Sequence, residues 1–228
     1  MRLLERPAWS SLTTHHAGLS VGTELARRYR PDVNLFASAC DDTAQALSAL
    51  GALVGPGERA LILQVPAIEL PTELVAVRRA RGVQMIATRS LRGQACEGIV
   101  KLTDADAPEM LSLARITEPG PFLERTHTMG SFLGIRMGGR LAAMAGERFR
   151  FPGWTEVSGV CTHPDFRGRG FARALSAAVA ANIESRGERP FLHAWKTNSS
   201  AISLYESLGF ELRAEVDVAV IERAGTAG

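Results

Sequence analysis

Cysteine is scarce in this chain of 228 residues: there are three, Cys40, Cys96 and Cys161. Three thiols at wide spacing, with no CxxC pair, offer neither a disulfide framework nor a zinc site, so no metal is expected. A reduced, intracellular setting fits such usage. Long apolar runs are missing too. No stretch approaches the roughly 18 apolar residues that a membrane span needs. The opening residues Met1-Arg2-Leu3-Leu4-Glu5-Arg6-Pro7 lack the apolar core of a secretion signal. The expected location is therefore cytoplasmic, with no membrane partner. Excess charge of one sign is also absent. Lys and Arg total 26 against 24 Asp and Glu, a net charge of +2. A dedicated nucleic-acid surface would show a basic stripe, so no nucleic-acid partner is expected. Oligomeric state is not legible.

What is present is an ordinary globular composition, 46% apolar and 22% charged, enough for a core without staples. Two halves are expected, an N-terminal α/β domain over residues 1–92 and a second domain over 98–228, joined by an aperiodic stretch at 89–97. In the first half, residues 33–37 read as a strand and Asp41 or Asp42 as an N-cap for a helix over 43–53. Residues 60–63 read as a buried strand, 73–81 as a helix closed by Gly82, and 83–87 as a strand. The second half opens with a strand at 98–102 and a helix at 107–114. A short helix is expected at 122–128, then three antiparallel strands at 131–136, 140–150 and 155–161. A long helix over 170–186 follows, with Leu175, Ala178, Val179 and Asn182 inward. A strand at 190–195, a helix at 199–208 capped by Asn198, and one or two strands at 210–222 complete the chain. The fold class is α/β (α+β).

Between a strand and the long helix lies Arg167-Gly168-Arg169-Gly170-Phe171-Ala172. The glycines permit close approach of backbone to a ligand. The first N–H groups of the helix point outward with the positive end of its dipole. Arg167, Arg169 and Arg173 add charge, so a pyrophosphate is a natural occupant. The NAD fingerprint fails because Arg173 stands where the third glycine of G-x-G-x-x-G belongs. No Walker string exists.

Residues 157–172, with Arg167, Gly170 and Ala172 at the defining positions, resemble motif A of the GCN5-related N-acetyltransferase (GNAT) superfamily. Residues 198–210, Asn-Ser-Ser-Ala-Ile-Ser-Leu-Tyr-Glu-Ser-Leu-Gly-Phe, resemble its motif B at every defined position. The two lie in the right order, and the similarity covers about residues 98–222, nearest the FR47-like branch. The resemblance implies a mixed, mostly antiparallel central sheet flanked by helices. It implies acetyl-CoA as co-substrate, with a small-molecule amine or a peptide N-terminus as acceptor. The backbone of Val160, Cys161 and Thr162 would bind the pantetheine arm. The N–H groups of Gly168, Arg169, Gly170, Phe171, Ala172 and Arg173 would bind the pyrophosphate. Asn198, with Ser200 beside it, would contact the pantetheine region, and Tyr205 would act as general acid toward the leaving thiolate.

Amine attack on a thioester needs a neutral amine, an oxyanion donor and a proton for the thiolate. The phenol of Tyr205 suits the last of these. For the base, Glu156, His193 and water all stay open. Cys161 as a covalent nucleophile has no His/Asn arrangement behind it. His163 reads as structural, His15-His16 as a surface pair, Trp154 and Trp195 as packing or wall residues, and His127 as facing the acceptor. The first half reads as a diverged, non-catalytic acyltransferase-like unit shaping the acceptor pocket, with Phe36, Trp9 or residues 65–71 setting selectivity. A different class, an acyl-CoA-binding sensor without turnover, stands as the alternative to an enzyme.

Overall fold

The computed structural model of the protein describes residues 3–91 and 98–224. A short helix, α1 (Pro7–Leu12), leads into β1 (Ser20–Gly22), β2 (Ala26–Tyr29) and β3 (Ala37–Ala39), which pair antiparallel as a small separate sheet. The strand expected at 33–37 thus lies later: Phe36 makes a single bridge to Leu61 and pairing with β2 starts at Ala37. Helix α2 (Ala44–Ala52) is capped by Thr43, whose hydroxyl accepts from the Ala46 N–H at 3.3 Å. Asp41 supports that cap by accepting from the Thr43 N–H at 3.0 Å.

The chain continues through β4 (Arg59–Gln64), β5 (Leu74–Ala87), β6 (Ile99–Leu102), α3 (Ala107–Thr117), β7 (Phe132–Met137), β8 (Arg140–Phe151) and β9 (Trp154–Thr162). It ends with α4 (Phe171–Ser185), β10 (Arg189–Trp195), α5 (Ser199–Leu208) and β11 (Phe210–Arg223). Strands β4 to β11 form one sheet in the order β4-β11-β5-β10-β9-β8-β7-β6. Every neighbouring pair is antiparallel except β9 with β10. This is the mixed, mostly antiparallel sheet flanked by helices that the sequence implies. The expected joint falls largely on residues 92–97, outside the described residues, as does Cys96. β5, before it in sequence, is hydrogen-bonded to β10 and β11, after it.

Three local expectations are corrected. Residues 73–81 are not a helix; from Leu74 on they belong to β5, paired with β11 from Leu74↔Arg223 to Ala87↔Phe210. Backbone pairing to β11 along that length outweighs the local helix pattern, and Arg78, Arg79 and Arg81 stay exposed. Gly82 is therefore no helix terminator. A Cβ there would sit 3.0 Å from both the Ala194 carbonyl oxygen and Val216 Cγ2, so glycine lets β10 and β11 close on β5. Residues 122–128 make only a 3₁₀ turn, Thr126–Met129. On α4 the inward face carries Ile183 rather than Asn182, which is exposed.

Two cores lie on opposite faces of the large sheet. On β10, Phe191 enters one and Leu192 the other, as alternation along a strand requires. One core holds Leu175, Val179 and Ile183 of α4 and Tyr205 and Leu208 of α5. The other holds Leu4, Ala8 and Leu12 around α1 with Tyr29, Phe36, Phe149, Val216 and Val218. The N-terminal residues thus cover the face that α4 and α5 do not. Replacing Gly82 with alanine is expected to cost about 1–3 kcal/mol through overpacking. A lowered urea midpoint would show it; an unchanged midpoint would mean that β10 and β11 are not held that close.

Candidate active site

The parallel pairing of β9 with β10 runs only from Trp154↔Arg189 to Val157↔Leu192. Beyond it β9 stays with β8 and β10 stays with β5, so the two strands part and leave a cleft. Two bulges shape its β9 side. Between Gly146↔Ser158 and Met144↔Cys161, β9 carries one extra residue, accommodated by Gly159 at φ 62°. Between Glu147↔Val157 and Arg150↔Thr155, the extra residue is on β8, at Arg148-Phe149. Bulges of this kind re-aim side chains beside functional sites.

At one end of the cleft lies a recess lined by Val160, Cys161, Thr162 and residues 166–173, with Thr117 and Leu204. All the loop residues singled out by sequence, Arg167 through Arg173, meet there. Gly168 and Gly170 both have φ 76°, and a Cβ on either would meet nothing within 4 Å. Backbone conformation, not crowding, therefore demands glycine, and the space outside is open. The first turn of α4 has no side-chain cap and no acidic residue. Its N–H groups are left for an anion, which fits the pyrophosphate of a coenzyme. Burial pushes the Cys161 thiol up to about 11, so it stays protonated at neutral pH.

The recess shares Thr117 and Val160 with a deeper cavity of about 250 Å³. Tyr205, Asn198 and Ala201 line this cavity on the α5 side, and Phe36, Leu63, Val216 and Val218 on the opposite face. The cavity therefore passes through the sheet where β9 and β10 part. Tyr205 is 9% exposed, and burial, then the charge of Glu156, pushes its phenol up to about 12. Asn198 Oδ1 accepts from the Ala201 N–H at 3.1 Å and from the Ser200 hydroxyl at 3.0 Å. Its cap role leaves the amide N–H groups to donate elsewhere. Ser200 lines neither space.

Glu156 and His193 stand together, although only His193 lines the cavity. Glu156 is fully buried. It takes a bidentate pair from Arg148, Nε to Oε2 at 2.7 Å and Nη2 to Oε1 at 2.6 Å. The Phe149 N–H adds a bond at 3.3 Å and His193 Nδ1 one at 2.6 Å. Burial opposes ionisation of Glu156, but Arg148 and His193 outweigh it and hold the carboxyl at about 2. His193 Nε2 faces Gln84 Nε2 at 3.0 Å; Gln84 also donates to the Leu4 carbonyl at 2.9 Å. The Gln84 oxygen accepts from Arg213 Nη1 at 2.7 Å. An arginine can only donate, so Gln84 turns its nitrogen to His193. His193 must then accept at Nε2 and carry its proton on Nδ1. Burial, the largest influence, pushes its pKa down against the pull of Glu156.

Sequence reasoning missed Arg148, Gln84 and Arg213. The sign available for Arg148 was an arginine next to an aromatic residue in the alternating stretch 147–151. It also missed the rim at 117–121, where Glu118 is the one described non-glycine residue with positive φ, 47°. Other assignments change. His16 is buried rather than superficial, with Nδ1 2.9 Å from both Ser11 Oγ and the Tyr29 hydroxyl. Burial pushes it down to about 4. His127 lines a separate recess with Asp104 and Lys101, not the cleft. His163 takes the structural place expected, accepting from the Asp165 N–H at 3.2 Å. Trp154 packs on Phe191, while Trp195 stands at the cavity mouth.

Because the folded pKa values of His16 and His193 lie below the unfolded value of about 6.5, the unfolded chain binds more protons under acid. Their contribution is full above pH 6.5 and is lost on descent, for His16 toward pH 4, worth about 3 kcal/mol. Glu156, held low, adds a further loss from about pH 4.5 toward 2. Urea unfolding at pH 7, 6, 5 and 4 should show falling stability; a flat series would contradict the buried neutral histidines. Glu156→Gln, which strands the Arg148 charge, should cost about 3–5 kcal/mol, read by the same measurement at pH 7.

Comparison with known proteins agrees with this geometry. A family model described as FR47-like protein matches residues 132–218. A crystal structure from Novosphingobium aromaticivorans, described as an acetyltransferase of the GNAT family, is 40% identical with a TM-score of 0.93, covering 99% of this chain and 100% of that one. A GCN5-related N-acetyltransferase from Kribbella flavida shares the fold at 18% identity, with a TM-score of 0.61 over 96% of each chain. The mycothiol acetyltransferase of Thermobispora bispora is 45% identical over 64 residues, 28% of this chain and 21% of that protein. This last similarity thus spans about a fifth of the curated relative's length. No described helix is long and apolar enough to cross a membrane. With 40% identity sustained along essentially the whole length of both chains, this protein belongs to the GNAT family of acetyltransferases.

Proposed function

We propose that the protein transfers the acetyl group of acetyl-CoA to a primary amine by direct attack in a ternary complex. The observation that carries this reading is a cavity through the parted strands, continuous with the anion recess and lined by Tyr205. Acetyl-CoA would supply the thioester, its pyrophosphate held by the N–H groups of residues 168–173 and its arm along the free edge of residues 160–162. Asn198 would hold the arm through its amide N–H groups. The acceptor would enter from the opposite face, past residues of the N-terminal part, with Phe36 and Leu63 in the wall.

In the transfer the amine nitrogen forms a bond to the acyl carbon and the carbon–sulfur bond breaks. An N–H of β9 beside the Gly159 bulge would stabilise the oxyanion. Tyr205 stays protonated and donates to the departing thiolate. Neither Glu156 nor His193 has a free acceptor position: Glu156 is taken by Arg148, Phe149 and His193, and His193 by Glu156 and Gln84. We therefore assign the amine proton to water in the cavity and a positioning role to the Glu156–His193 pair.

Thiol release from acetyl-CoA across a panel of primary amines tests the reading. Tyr205→Phe should lower kcat about 100-fold with little change in KM for acetyl-CoA. Gly170→Val, forced into φ 76°, should weaken coenzyme binding instead. Tight coenzyme binding with no thiol release on any amine would replace the enzyme with a sensor.

A further inference from the structure

We infer that Arg148 is the acceptor's anchor, and that the acceptor is a small apolar α-amino acid whose carboxylate it binds. This rests on the acetyltransferase reading above and names its substrate class. The β8 bulge places Arg148 in the cavity wall, on the face covered by the N-terminal residues. Its Nε and Nη2 edge is committed to Glu156. Nη1 makes no hydrogen bond among the described residues, and the Arg148 side chain lines the cavity. The guanidinium packs against two rings that meet edge to face, its Cζ 4.8 Å from the centroid of Phe36 and 4.7 Å from that of Phe149. Its position is thus fixed before a ligand arrives, so little freedom is lost on binding.

The charge within its hydrogen-bonded network favours an anion. The buried network contains two arginines, Arg148 and Arg213, but one carboxylate, Glu156, and His193 accepts at Nε2 as a neutral ring. Its net charge is positive, and a second carboxylate would balance it. Beside Arg148 the wall carries an apolar patch, Phe36, Leu61, Leu63, Val216 and Val218, with Glu118 on the rim at 117–121. A ligand fitting both features has one carboxylate near the reacting amine and a hydrocarbon side chain for the Leu61–Val218 wall.

The test compares leucine and phenylalanine with their amides and with the decarboxylated amines 3-methylbutylamine and phenethylamine, by thiol release from acetyl-CoA. One charge-assisted hydrogen bond is worth roughly tenfold or more in kcat/KM. The free amino acids should exceed both the amides and the decarboxylated amines by about that factor, mainly through KM. Arg148→Lys keeps a cation for Glu156 but loses the planar edge, and should compress this preference to about threefold or less. Coenzyme affinity, measured by calorimetry, should stay unchanged and certifies that the variant is folded. If it does not fold, the wild-type panel decides alone. Equal use of the decarboxylated amines, preference for the amides, or an undiminished preference in folded Arg148→Lys would overturn the assignment. Thiol release with some amines but no carboxylate preference rejects this inference alone; no release with any amine rejects the acetyltransferase reading beneath it.

Discussion

The hydrogen bond between Glu156 on β9 and His193 on β10 sits where those strands stop pairing. Phe191 opposite Glu156 is within the paired region, and His193 lies just past the last pair, Val157↔Leu192. Parallel strands that diverge lose ladder bonds, and a buried backbone without partners is costly. Here a charged side-chain bond at 2.6 Å takes over as the ladder ends. It is tied through Arg148 to β8, through Gln84 to β5, through Arg213 to β11, and through the Leu4 carbonyl to the N-terminal segment. The cleft can stay open because its root is fastened on every side.

That arrangement also divides the chemistry. Groups below the fork are saturated and hold their neighbours still. Groups above it are left with spare capacity: the Tyr205 phenol, the Asn198 amide, the edge of residues 160–162 and the N–H groups at the start of α4. A carboxylate and an imidazole in van der Waals reach of a catalytic cavity invite assignment as a base. Their complete engagement argues for a mechanical role, since a group whose lone pairs are all in use has none to offer a proton. Burial works the same way on Tyr205, keeping its phenol protonated at neutral pH.

The glycine loop and the helix from Ser199 to Leu208 were legible in the sequence because their chemistry is local. A turn at φ 76° demands glycine at 168 and 170, and a cap demands Asn198 just before an apolar face repeating at 201, 204, 205 and 208. The strands from 132 to 162 were legible for the same reason: alternation and turn residues lie within a few positions of one another. Residues 73–81 were misread because their fate depends on β11, more than 130 positions away in sequence. Isolated, that arginine-rich stretch favours a helix; in the fold, residues 74–81 find a continuous backbone partner in β11.

The sequence by itself therefore determined the candidate anion loop, because such a cradle is built from contiguous backbone N–H groups and the residues that shape them. Only the tertiary structure assembled the opposite side of the cavity. Arg148, Gln84, His193, Arg213 and Phe36 come from five separate segments and acquire meaning through distances of a few ångströms that no spacing in the chain records. It also decided which ionisable groups are free. Glu156 and His193 are suitable as bases by residue type, and their partners in three dimensions commit them to holding the fork in the sheet.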